Sequence, residues 1–296
     1  MHYQQNSRVA AAYIITSGLM FACMGACIKL VSQDVDTEWV VFCRNFFGLV
    51  LLIPLISRFG LDNLKTKIFR WHLARSVMGL SAMYCFFYAI AHISLADAVL
   101  LSYTTPLFAP IIAVFLLGEA VTIRLGFALL VGFAGVYFII NPELAGSSWI
   151  SLVALLSGFL AAIAMTCIRR LARTEPTTRI VFYYSIICAT LSVIPLIHAK
   201  PLPNLYCLVV LAVIGALAIL GQLSLTQGYA KASVAQVGPF TYSSVLFATL
   251  LGWLFWQEAP DILAAFGIIL VIAAGSVALT QSGKQRVEQD DLVIKD

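Results

Sequence analysis

Arg44 is the residue whose type and position most strongly indicate binding chemistry in this 296-residue chain. It lies among phenylalanines, about two helical turns into an apolar segment at residues 39–57. A cation at such depth in a membrane costs roughly 2.5–3.5 kcal/mol on insertion scales, so it normally faces a cavity or a carboxylate. Two interpretations are open. Arg44 is either a substrate-binding or gating residue, or it forms an ion pair with Asp34, Asp36 or Glu38.

Hydroxyl-bearing residues lie in the middle of two further apolar segments. These residues are Tyr103, Thr104 and Thr105 in segment 96–117, and Tyr242, Ser243 and Ser244 in segment 234–256. Neighbouring prolines remove backbone donors and are expected to leave carbonyl oxygens free. Such groups at mid-membrane are what a transporter site needs, although serine and threonine also join packed helices by hydrogen bonds. Further candidates that face inward are Asn45 and two aromatic residues, Tyr84 and Tyr88, which would stack on a flat or apolar moiety.

Charged residues at segment ends are candidates for ion coupling or for gates, and they are Lys29, Asp97, Glu119 and Glu258. Lys29, beside an acidic loop, is interpreted first as a salt-bridge residue and second as a gate. The two glutamates are either polar helix ends or gates. All fourteen acidic residues lie in loops, tails or segment ends, which disfavours a proton relay through the bilayer centre and leaves exchange, facilitated passage or peripheral coupling. Arg75, one turn inside its segment, is expected to snorkel to the surface.

Transmembrane helices must position all of these residues. Hydrophobic residues make up 61% of the chain and charged residues 11%, with a mean hydropathy of +0.96, well outside the soluble globular range. A span needs about 20 mainly apolar residues. On that basis the sequence predicts an all-α membrane protein with ten spans, at 10–31, 39–57, 71–91, 96–117, 123–140, 149–168, 179–197, 205–228, 234–256 and 262–281.

The distribution of lysine and arginine predicts the orientation of these spans. With a cytoplasmic N-terminus, nearly all of the 18 Lys and Arg residues lie in cytoplasmic loops, so both termini are predicted to be cytoplasmic. The first span is longer than the apolar core of a signal peptide, and it is expected to be retained. Residues 282–296 are polar and charge-mixed, and they are expected to form a disordered cytoplasmic tail.

The sequence contains an internal repeat, and its two copies are offset by about 140 residues. Cys27-Ile28-Lys29 matches Cys167-Ile168-Arg169, and Leu107-Phe108-Ala109 matches Leu246-Phe247-Ala248. Each copy, at 9–141 and 149–281, contains five predicted spans. An odd number of spans places the second copy upside down, which is the architecture that many transporters use for alternating access. Where the copies differ, as Arg44 differs from Ser185 and Asp97 from Gln236, substrate and ion specificity are expected.

These features together resemble the EamA-type members of the drug/metabolite transporter superfamily. The motifs Leu117-Gly118-Glu119 and Trp256-Gln257-Glu258 end the fourth and ninth spans, the fifth and tenth spans are rich in glycine, and Arg44 lies in the second. The resemblance covers residues 9–281 and departs at Gln257, where the family usually has glycine. It implies a carrier of small organic metabolites with a central cavity between the two copies. Members carry riboflavin, S-adenosylmethionine, amino acids or metallophores.

The sequence therefore predicts a secondary transporter in the bacterial inner membrane, which moves an amphipathic metabolite bearing a carboxylate or an amine. Arg44 would attract an anionic group, and the mid-membrane hydroxyls would supply neutral hydrogen bonds. No phosphate-binding loop, hydrolase motif or metal-ligand spacing occurs, so no cofactor, metal, ATPase subunit or nucleic acid is expected. The expected partners are the substrate and the lipid bilayer. The alternatives are a membrane-embedded enzyme or a non-transporting sensor.

Overall fold

The computed structural model describes residues 7–59, 65–117, 123–140, 148–171, 174–201, 204–231, 238–258, 262–263 and 265–277. Within these ranges the chain is almost entirely helical and contains no β-strand. This follows from its apolar composition, because a helix satisfies its backbone hydrogen bonds internally where no water is present.

Eleven helices are used to describe the molecule, and two 3₁₀ turns interrupt them. The helices are α1 (Ser7–Val31), α2 (Thr37–Phe59), α3 (Phe69–His92), α4 (Leu95–Ser102), α5 (Thr105–Leu117), α6 (Ile123–Ile140), α7 (Ser148–Leu171), α8 (Thr177–Leu191), α9 (Leu205–Lys231), α10 (Ser243–Trp256) and α11 (Ala265–Val277). The 3₁₀ turns are Ile194–His198 and Gly238–Tyr242.

Five stretches are long and apolar enough to cross a membrane, judged by length and composition. They are Arg8–Val31, Phe69–His92, Trp149–Ile168, Arg179–His198 and Leu205–Leu225. Shorter apolar stretches, two of which contain a break, lie at Leu95–Ala109, Gly126–Phe138, Phe240–Trp256 and Ala265–Val277. The chain is thus a multi-pass helical membrane protein, as predicted. The count of ten spans and the cytoplasmic position of both termini stay predictions.

Two of the predicted continuous spans are broken in the structure. Segment 96–117 forms α4 and α5, which are separated at Tyr103 and Thr104. In segment 234–256, a 3₁₀ turn that ends at Tyr242 leads into α10. At the first break the Thr104 hydroxyl donates to the Leu101 carbonyl oxygen at 2.5 Å, and this local bond competes with the regular helical pattern. The two breaks fall at corresponding positions of the two copies.

The helix contacts between the two halves occur in equivalent pairs, as the sequence repeat predicts. Helix α1 packs against α9, and the corresponding pair is α7 against α3. Helix α1 also packs against α10, while α7 packs against α4 and α5; α2 packs against α9, while α3 packs against α8. Exchanging the two copies converts each of these contacts into its counterpart. The main contacts therefore run between copies, and the two halves share one apolar core.

Candidate functional site

Glycines at matching positions of the repeat hold the two helix breaks. A Cβ atom on Gly158 of α7 would collide with Thr104 Oγ1 and would lie 2.8 Å from the carbonyl oxygen of Leu101. A Cβ atom on Gly18 of α1 would lie 2.6 Å from Ser243 Oγ. Each break therefore approaches the helix of the other copy so closely that only a residue without a side chain fits.

The hydroxyl groups at the first break are engaged in helix packing. Thr104 is fully buried, and Thr105 Oγ1 donates to the carbonyl oxygens of Ser102 at 3.0 Å and of Gly158 at 3.2 Å. The expectation of a free carbonyl oxygen at this break is therefore wrong for Ser102, because the Thr105 hydroxyl takes the place of the backbone donor that Pro106 lacks. This arrangement joins α5 to α7.

The structure brings Tyr103 and Tyr242 together at the interface between the copies. Their ring centroids are 6.4 Å apart, with the rings inclined at 52°. Tyr242 and Ser244 are buried. Four of the predicted binding residues, including Ser243 beside Gly18, thus share one region. They line a packed interface in this structure.

Arg44 has no acidic partner within the described part of the chain. Its Nη1 donates to Asn45 Oδ1 at 3.1 Å, and Asn45 Nδ2 in turn reaches Met83 Sδ at 3.9 Å. Arg44 Nε is buried without a hydrogen-bond partner among the described residues. The predicted ion pair to the first loop is not formed; Asp36 instead accepts from the backbone N–H of Lys200 at 2.8 Å. Asn45 is therefore the group that orients Arg44.

Arg75 does not snorkel, in contrast to the prediction. Its guanidinium lies 3.4 Å from the ring centroid of Tyr184 in α8. A Cβ atom on Gly79, one turn further along α3, would lie 3.5 Å from Arg75 Nη1 and 3.2 Å from Tyr184 Cε2. The side chain therefore points along α3 away from the Phe69 end, into the bundle. The sequence indicated the membrane boundary for Arg75, and Gly79 one turn later, which leaves room for the guanidinium, was the signal for an inward position.

Tyr84 and Tyr88 have different surroundings. Tyr84 packs against the apolar core, and its buried hydroxyl has no hydrogen-bond partner among the described residues. Tyr88 stacks on His92 with ring centroids 4.1 Å apart, and it also contacts Trp149. Of the two predicted stacking residues, Tyr84 is the one that lies near Arg44, since Asn45, which binds Arg44, contacts Met83, the neighbour of Tyr84 in α3.

A cross-copy ion pair lies at one end of the bundle, hereafter the Lys29 end. Lys29 Nζ binds Glu258 Oε1 and donates to the carbonyl oxygen of Ile93 at 2.8 Å. Glu258 Oε2 accepts from the backbone N–H of Leu95 at 3.0 Å. Lys29 also lies over the ring of Trp256 at 5.7 Å. This network ties α1, the start of α4 and the end of α10 together.

The backbone at the end of α10 aims Glu258 into this network. Gln257 has φ 56°, in the left-handed region that favours glycine, and its N–H bonds back to the carbonyl oxygen of Trp253. The N–H of Glu258 donates to the carbonyl oxygen of Gly252 at 3.2 Å. This conformation explains why glycine is usual at position 257 in the family that the sequence resembles. Gln257 adopts it with a side chain in place.

Asp97 takes part in a capping arrangement at the start of α4. Its backbone N–H donates to Ser94 Oγ at 3.1 Å, and Ser94 Oγ approaches Asp97 Oδ2 at 2.5 Å. Ser94 is thus the N-cap of α4, and its hydroxyl donates to Asp97, the acidic residue of the first turn. A coupling role for Asp97 stays a prediction. Glu119 lies outside the described residues, and no group of metal-binding side chains occurs within the described part.

A second polar network lies at the opposite end, hereafter the Glu175 end. Glu175 accepts from Arg179 Nη1 and from Thr66 Oγ1, both at 2.8 Å, and lies 3.7 Å from His72 Nε2. Burial acts to raise the pKa of the Glu175 carboxyl, but the hydrogen bonds from Arg179 and Thr66 and the charge of Arg179 lower it overall. These contacts join the α2–α3 loop, α3 and α8.

We expect the Glu175 network to make the protein sensitive to acid. Because the folded-state pKa of Glu175 is lowered, its stabilisation is fully present above the ordinary value of 4.5 and is lost as the pH falls through the lowered value. Melting temperatures of the wild type and Glu175→Gln, measured in detergent from neutral to acidic pH, should differ most at neutral pH and converge in acid. A constant difference across this range would contradict the prediction.

Comparison with known proteins identifies a family and several relatives. The profile of the EamA-like transporter family matches residues 8–141 and again residues 148–280. A pseudopaline exporter of Pseudomonas aeruginosa is 34% identical over 273 residues, which cover 91% of this chain and 95% of the exporter. A riboflavin transporter of Brucella anthropi is 27% identical over 281 residues, covering 89% and 99%. An S-adenosylmethionine uptake transporter of Rickettsia bellii is 23% identical over 246 residues, covering 83% and 84%.

A solved crystal structure has the same fold. It is 20% identical in sequence, with a TM-score of 0.61, and the match covers 95% of this chain and 99% of the other. At that level of identity the likeness concerns the fold alone.

Proposed function

The chain belongs to the EamA-like transporter family, and from that premise we propose that it is a secondary transporter of a carboxylate-bearing small organic metabolite, working by alternating access. Relatives named for a pseudopaline, a riboflavin and an S-adenosylmethionine activity support a small-molecule substrate. The two copies, 9–141 and 149–281, would form the two halves that rock against each other. The protein would lie in the bacterial inner membrane with both termini in the cytoplasm.

The observation that carries this proposal is the state of Arg44. It is a cation inside a predicted span, oriented by Asn45 and without an acidic partner in the described part of the chain. An unneutralised cation is costly at such depth, and the cost is offset when an anionic ligand binds it. A purely structural arginine would be paired. Arg44 is therefore proposed to bind the carboxylate of the substrate, with the buried hydroxyl of Tyr84 nearby.

The helix breaks are proposed to act as the moving parts of the site. Tyr103 and Tyr242 meet at the interface between the copies, and Thr104, Thr105, Ser243 and Ser244 lie beside them. When the halves separate at one end, these hydroxyls would become available to a substrate. Broken helices at a repeat interface are the usual location of a transport site.

The two polar networks are proposed to act as gates at opposite ends of the bundle. The Lys29–Glu258 pair joins elements from the two copies at one end, and Glu175 joins α3 to α8 at the other. His72 and Ile93 lie near opposite ends of α3, about 30 Å apart at 1.5 Å per residue, which matches the thickness of a hydrocarbon core. Both networks are intact here, which supports a closed conformation. Glu119 is proposed as a further gate from the sequence repeat.

Transport in vesicles tests the function directly. Purified protein is reconstituted into liposomes, and a panel of metabolites that includes riboflavin, S-adenosylmethionine and carboxylate-bearing metal chelators is offered with and without a pH gradient. We expect one class to be transported well above protein-free vesicles. Arg44→Ala is expected to lower that rate about tenfold or more, because one charge-assisted contact with the substrate is lost.

The matched control is Arg70→Ala, which removes an exposed cation from α3. It should insert and transport like the wild type. Normal insertion with wild-type transport by Arg44→Ala would remove Arg44 from the site. Absence of transport across the whole panel, with chemical turnover or binding alone, would favour the enzyme or the sensor.

A further inference from the structure

Two intramembrane arginines converge on one region between α2, α3 and α8. Arg44 in α2 binds Asn45, whose side-chain amide reaches Met83 Sδ of α3 at 3.9 Å. The Arg75 guanidinium of α3 lies one turn before Met83, against the ring of Tyr184 in α8. The two arginines therefore approach the same stretch of α3, between α2 and α8.

The direction of the Arg75 side chain is what distinguishes it from an ordinary boundary cation. Helical side chains lean toward the helix N-terminus, which for Arg75 is the Glu175 end with its carboxylate. The guanidinium instead stacks on Tyr184 and reaches the level of Gly79. The missing side chain at Gly79 makes room for this stack, because a Cβ atom there would approach Tyr184 Cε2 to 3.2 Å.

Neither arginine is neutralised by an acidic residue within the described ranges. The two ion-paired glutamates of those ranges, Glu258 and Glu175, pair with Lys29 and with Arg179 and His72. Arg44 Nε and Arg75 Nε are both buried without a hydrogen-bond partner there. Two unneutralised cations in a medium of low dielectric constant repel each other and attract anions.

The two cations also lie at different depths. Counted from the same end of the bundle at 1.5 Å per residue, Gly79 lies about 15 Å along α3 and Arg44 about 22 Å along α2. The second copy has no equivalent of either residue: Ser185 corresponds to Arg44, and the region that corresponds to Arg75, residues 214–216, is apolar. The pair is therefore a specialisation of the first copy and is not required by the fold.

We propose that Arg75 is a second anion-binding residue of the transport site, so that the substrate carries at least two carboxylates, one bound by Arg44 and the other by Arg75. Tyr184 holds the Arg75 guanidinium in the plane that a carboxylate needs for two parallel hydrogen bonds. Tyr84, on the same side of the bundle, faces the part of the substrate between the two charges. This inference rests on the proposed transport function and narrows its substrate class.

Binding of simple acids to the purified protein tests the proposal without transport. Citrate, glutarate and butyrate, which carry three, two and one carboxyl groups, are titrated at constant ionic strength while thermal stabilisation is followed. We expect citrate and glutarate to bind about tenfold or more tightly than butyrate, because each adds a charge-assisted contact. In Arg75→Gln, glutarate should bind only as well as butyrate.

Two further variants serve as controls. Arg75→Lys retains the charge and should preserve most of the preference for glutarate, which separates loss of the cation from loss of the fold. Arg70→Gln removes an exposed cation from the same helix and should leave all three titrations unchanged. Equal binding of the three acids, no binding of any of them, wild-type titration by Arg75→Gln, or an equal effect of Arg70→Gln would overturn the proposal.

The outcomes separate this inference from the function on which it rests. Selective binding of glutarate without any transport in vesicles would remove the proposed function and leave the dianion site standing. Transport of a neutral or cationic compound at the same rate by the wild type and Arg75→Gln would support the proposed transport function and would overturn the dianion site.

Discussion

Replacing Gly158 by leucine is expected to abolish the folded protein, whereas the same change at Gly126 is expected to be tolerated. A side chain at Gly158 would run into the Leu101 carbonyl oxygen and the Thr104 hydroxyl at the first helix break, and backbone atoms there cannot move aside. At Gly126, nothing lies within 4 Å of an added Cβ atom. The yield of monodisperse protein after detergent extraction, measured by size-exclusion chromatography, reads out the difference.

Alanine at the same two positions gives a graded version of the experiment. In a helix interior, Gly→Ala by itself stabilises by roughly 0.5–1 kcal/mol, so Gly126→Ala should keep or raise the melting temperature. At Gly158 the overlap outweighs that gain, because overpacking costs about 1–3 kcal/mol, and the melting temperature should fall. The repeat predicts the same loss for Gly18→Ala, next to Ser243. Equal melting temperatures for all three variants would show that the breaks do not depend on this close approach.

Lys29→Glu is expected to abolish transport, and the exchange Lys29→Glu with Glu258→Lys is expected to restore only part of it. The single change sets two carboxylates against each other where the copies meet, and it also removes the donor to the Ile93 carbonyl oxygen. Breaking a partly buried pair in this way costs about 3–5 kcal/mol, enough to shift an equilibrium between two conformations almost completely. The exchange restores the attraction, but a lysine at 258 cannot accept the Leu95 N–H.

Transport rates and the reactivity of Cys27 measure this effect together. Cys27 lies near Lys29 in α1 and packs against the core, so opening of the Lys29 end should raise its labelling by an impermeant maleimide, read by peptide mass mapping. Lys200→Glu provides the control. Lys200 is exposed at the same end, and it binds Asp36 through its backbone N–H, not through its side-chain charge. If Lys29→Glu transports normally with unchanged Cys27 labelling, the pair is not a gate.

The repeat was the most informative property of the sequence, and it also predicted which details the structure would share between the copies. Ser17-Gly18 and Ser157-Gly158 match in sequence, and in the structure both glycines contact a helix break of the other copy. Tyr103 and Tyr242 match, and they face each other. Such agreement arises because both copies fold by the same local rules and pack on each other through a common set of small residues.

Partner choice among charged residues was not predictable in the same way. Lys29 was expected to form a salt bridge near the acidic first loop, but its partner is Glu258, 229 residues away in the chain. Arg44 was given three candidate acids in that loop and pairs with none of them in the described part of the chain. Arg75 was expected at the surface and lies against Tyr184. Long side chains reach in several directions, and the packing of neighbouring helices selects one of them.

The sequence by itself determined that this is a doubled helical membrane protein of a transporter family, where its long helices run, and which mid-membrane residues are polar. Hydropathy, charge distribution and repetition suffice for this, because the bilayer imposes helices and the repeat imposes matching contacts. Only the tertiary structure decided that Lys29 pairs with Glu258 at one end, that Glu175 pairs with Arg179 at the other, and that Arg44 and Arg75 approach the same stretch of α3. Those relations depend on how helices from two distant halves of the chain cross, and the low dielectric constant of that interior makes the unpaired charges consequential.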